Sequence, residues 1–184
     1  MKRFCLMVAL TFLGVAGIQA KSNSKDIANQ LISNLHGGGE MHTVDGVTSY
    51  SGYVGTGYVY YFDDKDRFYI NPTIDAKWGE YRSEGNYSMK TTSVAVPVTL
   101  GYRLFANELI GMNLFGGVRY EQILNIEGNE YKSKVNKSQV GLTGGTSLRL
   151  LDSFSLNVSY YYGLTSLFTD GTGKTSSFNV SFNF

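Results

Sequence analysis

The sequence predicts an all-β chain of one domain, folded as an eight-stranded antiparallel up-and-down barrel. Three observations carry this. Successive stretches alternate apolar and polar residues with the period of two that belongs to strands. The composition, 22 Gly, 14 Tyr, 11 Phe and only 2 Pro in 184 residues, favours strands and tight curvature over helices. The connections between the alternating stretches are by turns long and short.

The clearest alternation is the last. In Ser177 to Phe184, Phe178, Val180, Phe182 and Phe184 fall on one face and Ser177, Asn179, Ser181 and Asn183 on the other. Working from the start, Met1 to Ala20 reads as a cleaved export signal: Lys2 and Arg3 form the positive region, Phe4 to Gly17 is apolar, and Ala20 supplies the small residue. The apolar run is too short for a membrane-spanning helix. Cys5 lies inside that signal, so the mature chain has no disulfide and no thiolate chemistry. Loss of Lys2 and Arg3 takes the formal charge from +1 to −1, far from the basic footprint of a nucleic-acid binder. Residues 21–32 read as a leader or short helix, because Ile27, Leu31 and Ile32 have helical spacing behind Ser24.

The barrel is expected over residues 33–184. A first strand is placed within Ser33 to Thr43, chiefly because an even strand count needs it. Val44 to Ser51 reads as a loop and Gly52 to Phe62 as a strand, with Asp63 to Asp66 a tight turn. Arg67 to Arg82 puts Phe68, Ile70, Pro72, Ile74, Ala76 and Trp78 opposite Tyr69, Asn71, Thr73, Asp75 and Lys77. Ser83 to Lys90 reads as a loop. Thr91 to Phe105 alternates again, with Pro97 expected to mark a bulge or bend. Leu109 to Asn125 sets Ile110, Met112, Leu114, Val118 and Tyr120 against Gly111, Asn113, Gly117, Arg119 and Glu121. Ile126 to Asn136 is a charged loop. Lys137 to Leu150 and Phe154 to Phe168 are strands around the turn Leu151 to Ser153, and Thr169 to Thr175 is the final loop.

The two faces decide what surrounds the barrel. Most large residues share the apolar face, whereas the other carries Gly, Ser, Thr and Asn with Asp75, Lys77, Arg103, Arg119, Glu121 and Arg149. Charges are costly against lipid but pair inside a narrow, filled lumen, so the apolar face is expected to meet the membrane. Tyr58, Tyr60, Trp78, Tyr102, Tyr120, Tyr160 and Tyr162 are candidate interfacial girdles. The competing arrangement is a soluble lipocalin-like barrel with the apolar face inside around a ligand. No stretch after residue 20 is apolar enough for a helical span, so any crossing uses strands.

V-P-V-T-L-G-Y-R-L at Val96 to Leu104, G-G-V-R-Y at Gly116 to Tyr120, Y-Y-Y-G-L at Tyr160 to Leu164 and the final Phe resemble the PorT-like outer-membrane β-barrel family. More loosely the chain resembles OmpX/OmpA-type eight-stranded barrels of Gram-negative bacteria. The resemblance implies a cell outer-membrane location, both termini in the periplasm, outer-membrane lipids and lipopolysaccharide as surroundings, and Phe184 as the signal read by the barrel-assembly machinery. It implies little about activity.

For chemistry, the expected site is a lumenal polar network of Asp75, Lys77, Arg103, Asn113, Arg119 and Glu121 that stabilises the barrel. An eight-stranded barrel is only wide enough for side chains to fill it. His36, Glu40 and His42 are expected to be solvated near a loop rather than to bind a metal. No cofactor is expected. His42 is the sole candidate base for a lipid A deacylase or acyltransferase, but has no identifiable Ser and acid partners. The expectation is a non-catalytic barrel acting structurally or through its outer loops on a surface partner, with a lipid-modifying enzyme, a lipocalin-like binder and a narrow channel as alternatives.

Overall fold

The computed structural model describes residues 31, 34–83, 87–107, 109–127, 134–150 and 154–183. The export signal, all of the leader but Leu31, and Phe184 lie outside them.

The ladder runs through β1 (His36–Val44), β2 (Val47–Gly57), β3 (Tyr60–Tyr61), β4 (Phe68–Ser83), β5 (Tyr87–Ala106), β6 (Ile110–Glu127), β7 (Ser138–Leu150), β8 (Phe154–Ser166) and β9 (Lys174–Asn183). Every neighbour is antiparallel, and β1 pairs with both β2 and β9, which closes the sheet. β2 and β3 are one strand of the barrel. Both pair with β4 in a single register, Gly57 opposite Thr73 and Tyr60 opposite Ile70. Between them stands Pro72, which has no N–H to donate; its carbonyl still accepts the Tyr58 N–H at 3.0 Å. Eight strands therefore close the barrel, and the first is β1.

Several boundaries differ from expectation, each for a physical reason. Val44 to Ser51 is no loop: Val44 faces Val47 across a two-residue turn of Asp45 and Gly46, both at positive φ (49° and 85°). That is the geometry whose twist matches a hairpin, and Asp-Gly is its usual sequence. Ser83 to Lys90 is mostly strand, since β4 runs to Ser83 and β5 starts at Tyr87. Its polar residues read as loop because the strands rise past the apolar belt, where outward positions no longer need to be greasy. For the same reason β6 continues to Glu127 into the stretch expected to be loop. Pro97 marks no bulge: β4 and β5 keep one register on either side of it, and the register shifts of β5 against β6 fall at Thr92/Ser93 and Arg103/Phe105.

The exterior is apolar. Phe68, Trp78, Leu100, Leu114, Val118, Leu142, Tyr160, Tyr162, Leu164, Phe178 and Phe182 are all exposed. On β4 this outward run extends from Phe68 to Trp78, about 33 Å along the strand at ~3.3 Å per residue. At the usual tilt it stands about 25 Å tall, the height of a lipid-facing band. Of the candidate girdle residues, Trp78, Tyr160 and Tyr162 are exposed, Tyr60, Tyr102 and Tyr120 are half-buried, and Tyr58 is buried. Beyond Trp78 the outward positions turn polar, and Glu80, Lys90 and Glu127 stand opposite one another across β4, β5 and β6.

Candidate functional site

The side chains that carry chemistry point into the barrel, where the strand period brings them together. Glu40 from β1, Lys77 from β4, and Arg119 and Glu121 from β6 form one buried cluster. Lys77 Nζ lies 2.6 Å from Glu40 Oε2 and 3.0 Å from Glu121 Oε2. Arg119 reaches Glu40 at 3.2 Å and also bonds Glu121. Ser93 Oγ donates to Glu121 Oε1 at 2.6 Å, and the Tyr161 ring lies 4.5 Å beneath the Arg119 guanidinium carbon. Two cations and two carboxylates thus neutralise one another in a wall-to-wall arrangement.

Glycine beside several of the large lumenal groups makes the room. The Tyr161 ring occupies the space a Cβ on Gly141 would take, and the Tyr69 ring does the same at Gly101. Gly55 leaves space for a second pair, in which Asp75 Oδ1 sits 2.9 Å from His36 Nε2. The other ring nitrogen of His36 is 3.1 Å from the Asn34 carbonyl.

On the side of the cluster away from the termini the lumen is filled by apolar side chains. Val44, Tyr81, Met89, Ile123, Ile126, Val135 and Leu167 form a buried apolar plug, with Phe168 packed against it. Val135 and Leu167 come from the connections between β6 and β7 and between β8 and β9. These two connections are stitched together, Asn136 N–H to Leu167 O at 2.7 Å and Thr169 N–H to Lys134 O at 2.8 Å. On the terminus side of the cluster the lumen widens into an open polar cavity of about 320 Å³.

Of the six residues expected in a lumenal network, Lys77, Arg119 and Glu121 meet in the cluster. Asp75 does not pair with Lys77, its neighbour on the same face, but with His36. Arg103 lies in the cavity, donating to Tyr61 Oη at 2.5 Å with its guanidinium 4.9 Å from the ring centre. Asn113 lines the same cavity.

The residues missed are on β1. His36, Glu40 and His42 are not solvated beside a loop: they share the inner face, with Glu40 3% and His42 0% exposed. Their even spacing carried the signal, but the opposite face, Gly37, Gly39, Met41 and Thr43, offers too little apolar contrast to reveal a strand. No group of three metal-ligating side chains forms among the described residues.

His42 has a structural task. The ladder between β2 and β4 ends at Ser51 opposite Gly79. Above it the two strands part, and side chains satisfy the backbone groups left behind, as buried polar groups require. His42 Nε2 donates to Glu80 O at 2.9 Å, Ser49 Oγ accepts the Arg82 N–H at 2.8 Å, and the His42 ring lies against Tyr81 at 4.2 Å.

Solved structures of similar fold include the outer membrane enzyme PagL, with a TM-score of 0.56 at 11% identity over 80% of this chain and 97% of that one. Neisserial surface protein A, NspA, gives a TM-score of 0.53 at 9% identity over 81% of this chain and 92% of that one. At such identities the likeness is one of fold. The comparison with curated proteins finds no match in sequence. Residues 21–169 match the outer membrane protein beta-barrel domain, and with its closed barrel and apolar exterior the chain belongs to that family of outer-membrane β-barrel proteins.

Proposed function

We propose that this barrel is non-catalytic and acts as a structural or surface-interaction protein through its outer loops, within the narrower PorT-like, OmpX/OmpA-type group. The observation that carries the reading is the filled lumen: a neutral ion cluster and an apolar plug occupy its middle and one end. Such a lumen suits a rigid platform better than a conduit. His42, the candidate base of a lipid-modifying enzyme, is wholly buried and bonded to the backbone of β4, which leaves it no access to an acyl ester in the membrane. In this reading outer-membrane lipids and lipopolysaccharide surround the belt, the assembly machinery engages the C-terminal strand, and a surface partner meets the loop end.

The test is reconstitution of the full chain in planar bilayers together with lipid profiling of cells that overproduce it. The reading expects no conductance steps and an unchanged lipid A and phospholipid profile, the same for wild type and His42→Ala. Steps that shift on neutralising Lys77 or Arg119 would replace it with a channel. A profile altered by the wild type and not by His42→Ala would replace it with an enzyme.

A further inference from the structure

We propose that a groove on the outer wall of the barrel, just above the apolar belt, holds the sugar headgroup of a glycolipid of the surrounding leaflet. The proposal rests on the outer-membrane reading above and names the chemistry of one partner. The groove, of about 510 Å³, runs across β2, β4, β5 and β6 and falls in the size range of small-molecule sites. It begins at Trp78, where the outward apolar run of β4 ends. A ligand anchored in the leaflet therefore brings its headgroup to this height.

Two rows of outward side chains meet there in register. In the lower row Trp78 stands between Gly52 and Thr92, and Thr92 stands beside Asn125. Gly52 has no side chain to hold the indole off: a Cβ there would meet its Nε1, Cε2 and Cζ2 at 3.4 to 3.7 Å, so the ring leans over β2. Tyr50, 68% exposed, lines the groove with it, above the point where β2 and β4 part. Two residues further up, the second row is Glu80, Lys90 and Glu127, alternating in sign. Glu80 is held by Arg82 at 3.0 Å and by Ser88. Lys90 and Glu127 face each other yet form no ion pair among the described residues, so both charged ends are open to a ligand.

A sugar ring matches both rows. Its positively polarised C–H face lies against the negative face of an aromatic ring. Its hydroxyls donate and accept, and Lys90, Glu127, Thr92 and Asn125 together offer donors and acceptors. An acyl chain would instead set the charges of the upper row against hydrocarbon. A bare phosphate would meet two carboxylates, with Lys90 as its open cation because Glu80 engages Arg82. A phospholipid headgroup could pair with Lys90 and Glu127 but has no ring for the aromatic floor.

Trp78 is the single tryptophan of the chain, so its fluorescence reports on the groove directly. The full chain, refolded without lipopolysaccharide, is placed in phosphatidylcholine bilayer discs carrying increasing amounts of rough lipopolysaccharide. Parallel discs carry phosphatidylethanolamine, or phosphatidylglycerol as the charge match. The proposal expects a saturable change in Trp78 emission with lipopolysaccharide alone, reversed by its delipidated oligosaccharide. The midpoint should rise at least fivefold in Glu127→Gln and in Lys90→Gln. A compact, heat-sensitive form in SDS verifies that each variant is folded, and either variant carries the test if the other fails there. No change with lipopolysaccharide, an equal change with either phospholipid, no reversal by the oligosaccharide, or a folded variant with the wild-type midpoint overturns it. A conducting or lipid-modifying barrel would overturn the proposed function and leave this fluorescence result standing.

Discussion

Glu121 illustrates how much one lumenal carboxylate holds. It accepts from Lys77, Arg119 and Ser93, all of them buried. Removing one member of a buried ion set costs more than the set contributes, because the partners stay buried and uncompensated. Glu121→Gln is therefore expected to lose about 3 to 5 kcal/mol in urea unfolding of the reconstituted barrel. Adding Lys77→Met should recover part of that loss, since Glu40 and Arg119 then remain as a neutral pair; the double variant falls short of the summed single costs by about 0.5 to 3 kcal/mol. Fully additive costs would mean the four charges act independently. Asp170 behaves differently, in the exposed connection before β9. It accepts from the Thr172 N–H at 2.9 Å and hydroxyl at 2.6 Å, which holds its carboxyl below the usual aspartate range. Its contribution is thus complete above the ordinary aspartate value and lost as pH falls through the lowered one. The Thr172 amide resonance should follow that lowered transition, and a midpoint at or above the ordinary value of about 3.9 would refute the turn geometry.

At the scale of elements, the hairpin of β1 and β2 depends on its turn. Gly46 has φ of 85° and nothing within 4 Å of where a Cβ would stand, so Gly46→Ala meets only backbone strain. A loss of about 1 kcal/mol in unfolding is expected. A cost near zero would mean the turn is not the two-residue type. This element was also the hardest to see in the sequence. The strands β4 to β9 announce themselves by large apolar residues on alternate positions, because lipid demands them. In β1 the outward positions are two glycines, a methionine and a threonine, and the period shows only in the inward His36, Glu40 and His42. The Asp-Gly pair was the available signal for the turn, and the polar residues after it masked the strand. The projecting ends of β4, β5 and β6 were read as loops for a related reason: above the bilayer the pattern that identifies a strand is no longer enforced.

Taken whole, the molecule is a barrel turned inside out relative to a soluble one, greasy where it meets lipid and polar at its centre. The period of two was enough to place Lys77, Arg119 and Glu121 on one face, but which charges pair depends on strand tilt and register, and those the chain does not spell out locally. Hence Asp75 finds His36 from 39 positions away, rather than Lys77 beside it. The apolar plug was equally hidden, since Val135 and Leu167 belong to connections and reach the lumen only once the barrel has closed. The lipocalin-like alternative fails at this scale: the large apolar side chains stand outside, and the centre is charged.

The most direct test of a closed, lipid-facing barrel is the migration of the outer-membrane fraction in SDS gels, unheated and boiled. β1 paired to β9 leaves no free edge from which SDS can peel the sheet. The account predicts a compact band before heating that shifts to the unfolded position after it. Identical migration in both lanes, with the protein recovered in the soluble periplasmic fraction, would contradict it.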